Sequence, residues 1–106
     1  KDKNEYQRLS MEYYKDGSSP EFTSNELNSI AWNFFENATD KVALDHALLW
    51  AKQSVKLDAA YANTDTVANL YFKSGDKANA KIWATKAIEL AKKEGEEYAD
   101  TQAFLD

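Results

Sequence analysis

The sequence predicts an all-α fold built from antiparallel helical hairpins, and three observations support this prediction. Apolar residues recur at intervals of three and four along most of the 106-residue chain, which is the spacing of an amphipathic helix. Only three glycines and one proline interrupt the chain, so helices with short connections are favoured. No stretch alternates cleanly among β-branched and aromatic residues, so strands are not expected.

The composition excludes several classes of function. With no cysteine and one histidine, the chain has no disulfide framework, thiol nucleophile or multi-histidine metal centre. A net charge of −5 without a basic stripe argues against nucleic-acid binding, which depends on neutralising phosphates. The longest apolar runs are far shorter than the roughly 20 residues of a membrane-spanning helix, so no membrane insertion is expected. No cofactor is implied.

Local signals place the first two helices. An N-terminal helix and its connector are predicted over residues 1–20, with Gly17 as the stop signal. The second helix starts at Thr23, because Thr23 and Glu26 have the spacing of a capping box. Its apolar face ends near Asn37.

Caps and glycines bound the remaining helices. The cap residues are Thr39 or Asp40 for the third helix and Asp76 for the fifth, and the closing glycines are Gly75 and Gly95. The fourth helix covers about residues 61–73. A last helix over residues 96–106 is predicted to cap the stack, the alternative being that it begins a third repeat.

An internal repeat is the strongest signal in the sequence. A shift of 33 residues places Ala47, Trp50 and Ala51 on Ala80, Trp83 and Ala84. A shift of 37 residues places Ile30, Ala31, Phe34 and Phe35 on Val67, Ala68, Tyr71 and Phe72. The repeated unit is therefore a helical hairpin, used over residues 23–58 and 61–94. The recurrence of the tryptophans predicts that Trp50 and Trp83 pack between hairpins.

The repeated hairpin resembles the tetratricopeptide repeat. The family's characteristic large, small and aromatic positions hold Leu27, Ile30, Ala31, Phe34, Ala47 and Ala51 in the first hairpin, and Thr64, Val67, Ala68, Tyr71, Ala80 and Ala84 in the second. The chain departs from the family pattern because alanine replaces its usual glycine, its closing proline is missing, and the first hairpin has four extra residues. The resemblance implies two degenerate repeats with flanking helices in a right-handed α–α superhelix. A bundle without repeat geometry is the alternative fold.

A second resemblance concerns residues 27–34, 38–41 and 47–51. These segments are similar to the C-terminal helical extension of some bacterial thioredoxin-like proteins of the cell envelope. The similarity implies a neighbouring thiol-disulfide domain in the same chain and a periplasmic or envelope location. Because the chain begins at Lys1 without a methionine, we expect it to be one domain cut from a longer polypeptide.

The sequence gives no sign of catalysis. His46 lies in a charged segment and is expected to be an exposed surface residue. No general base stands beside a nucleophile. The acidic cluster of Glu94, Glu96, Glu97 and Asp100 lacks the ligand pattern of a calcium loop and is expected to be a solvated helix end. We therefore predict that the chain is not an enzyme and has no catalytic, cofactor-binding or metal-binding residues.

The tetratricopeptide resemblance implies a concave groove along the first helix of each hairpin. The residues at the groove positions are Asn25, Asn28, Trp32, Phe35 and Glu36 in the first hairpin, and Ala62, Asp65, Asn69, Phe72 and Lys73 in the second. Asparagine amides can hold an extended peptide backbone, and aromatic rings supply rigid apolar area. The alternative is that Trp32, Phe35 and Phe72 pack against the N-terminal helix and the neighbouring hairpin. Lys73 alone does not make a two-carboxylate clamp, so no recognition of acidic C-terminal tails is expected.

The predicted function is non-enzymatic protein–protein interaction, with the domain acting as a docking or scaffolding module of a larger protein. The partner is a protein or peptide whose identity the sequence does not name. The alternative is a stabilising C-terminal extension that packs on a thioredoxin-like domain of the same chain.

Overall fold

The computed structural model describes residues 22–105, which form five helices and no strand. The helices are α1 (Ser24–Asn37), α2 (Lys41–Leu57), α3 (Tyr61–Lys73), α4 (Lys77–Glu94) and α5 (Ala99–Gln102). The predicted all-α class is confirmed. The N-terminal helix predicted over residues 1–20 lies outside the described residues. None of the described helices has the length and apolarity that a membrane span requires.

The predicted capping residues begin the first two helices. The Thr23 hydroxyl accepts a hydrogen bond from the Glu26 amide at 3.1 Å, and a Glu26 carboxylate oxygen accepts one from the Thr23 amide at 2.9 Å. This reciprocal pair is the predicted capping box. Of the two caps considered for α2, Asp40 is the one that binds the helix, accepting from the Val42 amide at 3.3 Å.

The second hairpin is bounded as the sequence predicts. Asp76 caps α4 by accepting from the Asn79 amide at 3.1 Å and from its side chain at 2.8 Å. These hydrogen bonds hold the pKa of Asp76 below its ordinary value. Gly95 ends α4 with a φ of +76°, a left-handed conformation that glycine adopts without steric cost.

The last helix is shorter than predicted. The sequence predicts a helix over residues 96–106, whereas α5 covers only Ala99–Gln102. After the left-handed turn at Gly95, the Glu96 amide donates to the Ala91 carbonyl at 2.8 Å, which turns the chain away from the α4 axis. The chain then returns to α3, where the buried Thr101 side chain forms hydrogen bonds. These tertiary contacts override the local helical pattern.

Each pair of long helices forms an antiparallel hairpin. Ser24 at the start of α1 bonds to Ser54 near the end of α2. The Tyr61 amide at the start of α3 donates to Glu94 at the end of α4 at 3.0 Å. Helix α3 also packs against both α1 and α2, so it lies at the centre of the described structure. Its buried residues are Asn63, Thr64, Thr66, Val67, Ala68 and Leu70.

The repeated small residues lie in the core. The alanines at the repeated positions are all buried, and they are Ala31, Ala47, Ala51, Ala68, Ala80 and Ala84. Small side chains let helices approach closely, and larger neighbours fill the remaining space. Trp50 is fully buried and meets Phe34 edge-on, with ring centroids 4.8 Å apart. Trp83 is only partly buried against the core, and the Lys86 ammonium lies 4.4 Å from its ring centroid.

A polar cluster joins α1, α2 and α3, and we call it the Ser–Ser–Asn cluster. The Ser24 hydroxyl donates to the Ser54 carbonyl at 2.8 Å, and the Ser54 hydroxyl donates to the Ser24 carbonyl at 2.6 Å. The Asn63 amide nitrogen lies 3.0 Å from both serine hydroxyls and donates to the Asp58 carbonyl at 2.8 Å. The Asn63 side-chain oxygen accepts from the Ala60 amide at 3.0 Å, so both ends of this buried side chain are satisfied.

We expect Trp50→Ala to lower the free energy of unfolding by about 3–5 kcal/mol, since it removes a fully buried indole. Trp83→Ala should lower the free energy of unfolding by clearly less, because this ring keeps part of its surface exposed to water. Urea denaturation followed by circular dichroism measures both changes. Trp50→Phe is the milder variant if Trp50→Ala does not fold. Equal losses for the two alanine variants would contradict the different burial of the tryptophans.

Asn63→Ala should lower the free energy of unfolding by about 1–3 kcal/mol, because it leaves buried groups of the Ser–Ser–Asn cluster without a partner. A double-mutant cycle with Ser54→Ala should give a coupling of about 0.5 kcal/mol or more. Asn69→Ala is the matched control, because its side chain donates to the Asp65 carbonyl within α3. Additive effects of Asn63→Ala and Ser54→Ala would show that the cluster does not act as a unit.

Candidate binding surface

The predicted groove residues form two rows on neighbouring helices. The α1 row comprises Asn25, Asn28, Trp32 and Phe35, and the α3 row comprises Asp65, Asn69 and Phe72. Within each row the spacing is three or four residues, which places the side chains on one face of the helix. Helices α1 and α3 pack against each other, so the structure brings the two rows side by side. Glu36 and Ala62, also predicted for the groove, are exposed.

Lys73 connects the two helices at one end of the rows. Its ammonium donates a hydrogen bond to the Phe35 carbonyl and lies 5.1 Å from the Phe35 ring centroid. The Phe35 ring in turn lies against Trp32, with centroids 4.7 Å apart. Trp32, Phe35 and Lys73 therefore form one cluster, in which the cation faces an aromatic ring. With its ammonium engaged in this way, Lys73 is not presented as a free carboxylate-binding group.

The asparagines of the rows have different environments. Asn25 is exposed at the start of α1 and lines a pocket of about 300 Å³. Asn69 donates to the Asp65 carbonyl at 2.9 Å, so part of its amide is used within the helix. Asn28 is partly buried, and its buried side-chain oxygen has no hydrogen-bond partner among residues 22–105. Most buried polar atoms in proteins are satisfied, so this acceptor is unfavourable where it lies.

Asp65 belongs to a hydrogen-bonded chain rather than to an open groove. The Thr101 hydroxyl donates to an Asp65 carboxylate oxygen at 2.7 Å, and the Tyr61 hydroxyl lies 2.7 Å from the same Thr101 oxygen. Because the single Thr101 hydrogen points to Asp65, Tyr61 is the donor of the second bond. Burial raises the pKa of Asp65, and the nearby Asp100 charge adds to this rise, while the Thr101 hydrogen bond opposes it. Burial also raises the pKa of Tyr61.

Phe72 ends the α3 row next to the C-terminal segment. Its ring is half exposed, and its centroid lies 5.1 Å from that of Phe104. A pocket of about 360 Å³ opens at this aromatic pair. The remaining lining residues are Lys77, Lys81, Asp100 and Ala103. This pocket could not be predicted from the sequence, because it forms where the residues after α4 return to α3.

The titratable residues singled out in the sequence, His46 and the acidic cluster, lie in different segments of the described part of the chain. Within residues 22–105, no group of three or more histidine, aspartate or glutamate side chains is placed to hold a metal. His46 is partly buried rather than exposed, which corrects the expectation from sequence. It lies one turn before Trp50 on α2, and the two ring centroids are 5.8 Å apart. All four members of the predicted acidic cluster, Glu94, Glu96, Glu97 and Asp100, are exposed as expected.

No protein-family model, curated protein or solved structure matches this chain significantly. The resemblances to tetratricopeptide repeats and to thioredoxin-associated extensions therefore stay predictions. A functional assignment has to rest on the residues of the chain itself and on the surface formed by the α1 and α3 rows.

Asp65→Asn should change how stability depends on pH. Because the pKa of Asp65 is raised in the folded chain, folding favours the protonated carboxyl group. This contribution to stability is fully present below the pKa of Asp65 in the unfolded chain. It is lost as the pH rises through the pKa of Asp65 in the folded chain. Asparagine keeps an oxygen for the Thr101 hydroxyl and carries no charge, so the variant should be more stable than the parent at pH 7. This advantage should disappear as the pH falls towards 3.

Urea denaturation of both proteins between pH 3 and pH 7 measures the difference. Asp45→Asn is the control, since among residues 22–105 this exposed carboxylate pairs only with Lys41 at the surface of α2. An Asp65→Asn variant that is less stable than the parent at pH 7 would contradict the assigned direction of the pKa shift.

Proposed function

We propose that the chain is a non-enzymatic protein-interaction domain that binds an extended peptide segment of a partner protein along the α1 and α3 rows. The observation that carries this proposal is the contact of Lys73 with Phe35, which joins the two rows into one continuous surface. That surface combines aromatic rings with amide groups. Both are suited to holding a peptide.

The aromatic part of the surface supports the proposal through its partial exposure. Trp32 and Phe35 each keep part of their surface accessible, and Phe72 is 50% exposed. Aromatic side chains that are held in place lose little conformational freedom on binding and dominate many interfaces. The contacts of Trp32 with Phe35 and of Phe72 with Phe104 hold these rings in place.

The polar part of the surface supports the same proposal. An extended peptide presents backbone N–H groups that need acceptors when water is removed. The Asn28 oxygen is a buried acceptor without a partner among residues 22–105. Rotation of the Asn28 side chain towards the surface would let this oxygen accept a peptide N–H, which removes an unfavourable unsatisfied group and favours the bound state.

The order of helix contacts supports tandem repeats as the architecture behind this surface. Helix α3 packs on both helices of the preceding hairpin, α1 and α2. Helix α5 packs on α4, and Thr101 and Phe104 of the C-terminal segment reach α3. The C-terminal segment thus contacts both helices of the second hairpin, just as α3 contacts both helices of the first. We infer two degenerate tetratricopeptide-like repeats in a right-handed superhelix, with the C-terminal segment capping the stack.

A random-peptide display selection on the immobilised chain tests the function. We expect enriched peptides whose affinity, measured by fluorescence anisotropy, falls at least tenfold with Trp32→Ala and with Asn28→Ala. Ile82→Ala and Leu49→Ala are controls, since both side chains are about half exposed and lie outside the two rows. They should leave the affinity within about twofold.

Thermal melts followed by circular dichroism establish that each variant is folded before its affinity is compared. Failure to enrich any peptide would contradict the proposal. The same conclusion follows if enriched peptides respond to Ile82→Ala or Leu49→Ala and not to the variants within the rows.

A further inference from the structure

The pocket at the end of the α3 row has an apolar floor and charged walls. Phe72, Phe104 and Ala103 form the floor, and the two phenylalanine rings lie 5.1 Å apart at their centroids. Lys77 and Lys81 line one side, and Asp100 also borders the pocket. Its volume of about 360 Å³ is near the lower end of ligand pockets. It therefore suits one or two side chains.

The charges of the pocket differ from those of the chain as a whole. The chain has a net charge of −5, yet two of the three charged residues around the pocket are lysines. Lys77 and Lys81 are four residues apart on α4, so they share a face. Both are exposed, and neither ammonium group forms an ion pair or hydrogen bond with a described residue. Asp76, which caps α4 beside Lys77, bonds to Asn79 instead.

We propose that this pocket selects the sequence of the bound peptide by taking a bulky apolar side chain that adjoins one carboxylate. The inference rests on the peptide-binding function proposed above, because Phe72 belongs both to the α3 row and to the pocket floor. The apolar side chain packs on Phe72 and Phe104. The ammonium groups of Lys77 and Lys81 bind the adjoining carboxylate.

Asp100 narrows this preference. Its exposed carboxylate borders the same pocket and repels a second acidic group. The preferred peptide therefore carries one acidic residue beside its apolar residue rather than an acidic run. The carboxylate-binding lysines of this site lie on α4, so it differs from a two-carboxylate clamp built along the first helices, for which Lys73 was considered from the sequence.

The test uses the full chain and the display selection described above, repeated on the Lys77→Gln/Lys81→Gln double variant. On the parent chain we expect enrichment of peptides in which phenylalanine, tryptophan or leucine adjoins a single aspartate or glutamate. On the double variant this acidic preference should disappear. The probe for affinity is the most enriched acidic peptide, labelled with fluorescein, together with its version in which the acid is replaced by the amide.

The double variant should bind the acidic probe at least tenfold more weakly than the parent chain does, and its affinity for the amide probe should be nearly unchanged. Lys56→Gln/Lys93→Gln is the matched control, because it removes the same charge at exposed positions outside the pocket. Phe104→Ala should lower the affinity for both probes, since it removes part of the apolar floor. Added salt should lower the affinity for the acidic probe more than that for the amide probe.

The outcomes separate this inference from the proposed function. Enriched peptides that depend on Trp32 but show no acidic preference, or that bind the double variant equally well, would overturn the pocket assignment and leave the peptide-binding function intact. A selection that enriches no peptide would overturn both. If 3-phenylpropionate alone binds as tightly as the acidic probe, the pocket is a site for a small carboxylate and the peptide assignment is wrong.

Discussion

The arrangement of the two hairpins depends on one buried side chain, the Asn63 amide. It lies at the start of α3, donates to the Asp58 carbonyl, and reaches the paired hydroxyls of Ser24 and Ser54. In a dry interior an unpaired amide is costly, so the helix arrangement that satisfies all of these groups is strongly favoured over shifted ones. The Ser–Ser–Asn cluster thus favours one arrangement of the second hairpin on the first, while large buried side chains such as Trp50, Phe34 and Leu70 contribute the apolar stabilisation.

The position of the candidate binding surface follows from this arrangement. With the start of α3 fixed by Asn63, the other end of the helix brings Lys73 to Phe35, and the two rows lie next to each other. The C-terminal segment then uses α3 as its support, through Thr101 at Asp65 and Phe104 at Phe72. A polar contact in the interior therefore determines the position of the surface, and that surface leads to the pocket beside Lys77 and Lys81.

Most helix boundaries could be predicted because their causes are local. Thr23 with Glu26, Asp40, and Gly95 act on backbone groups within a few residues, so their spacing in the sequence is sufficient. The Ser–Ser–Asn cluster could not be predicted in the same way, since Ser24 and Asn63 are 39 residues apart and neither carries a motif. The shortening of α5 was missed for a similar reason, because contacts with α3 override the local pattern. The helix faces that carry the rows were predicted, whereas the binding of Asp65 by Thr101 required the structure.

The central claim is that a partner peptide lies along the joined α1 and α3 rows, and chemical-shift mapping by two-dimensional NMR tests it most directly. A peptide from the display selection is titrated into the isotope-labelled chain while backbone, indole and asparagine side-chain signals are followed. The account predicts that the largest shifts occur at the Trp32 indole, the Asn28 side chain and the α3 amides near Asn69 and Phe72. Shifts confined to the outer residues of α2 and α4, such as Leu49 and Ile82, would contradict it.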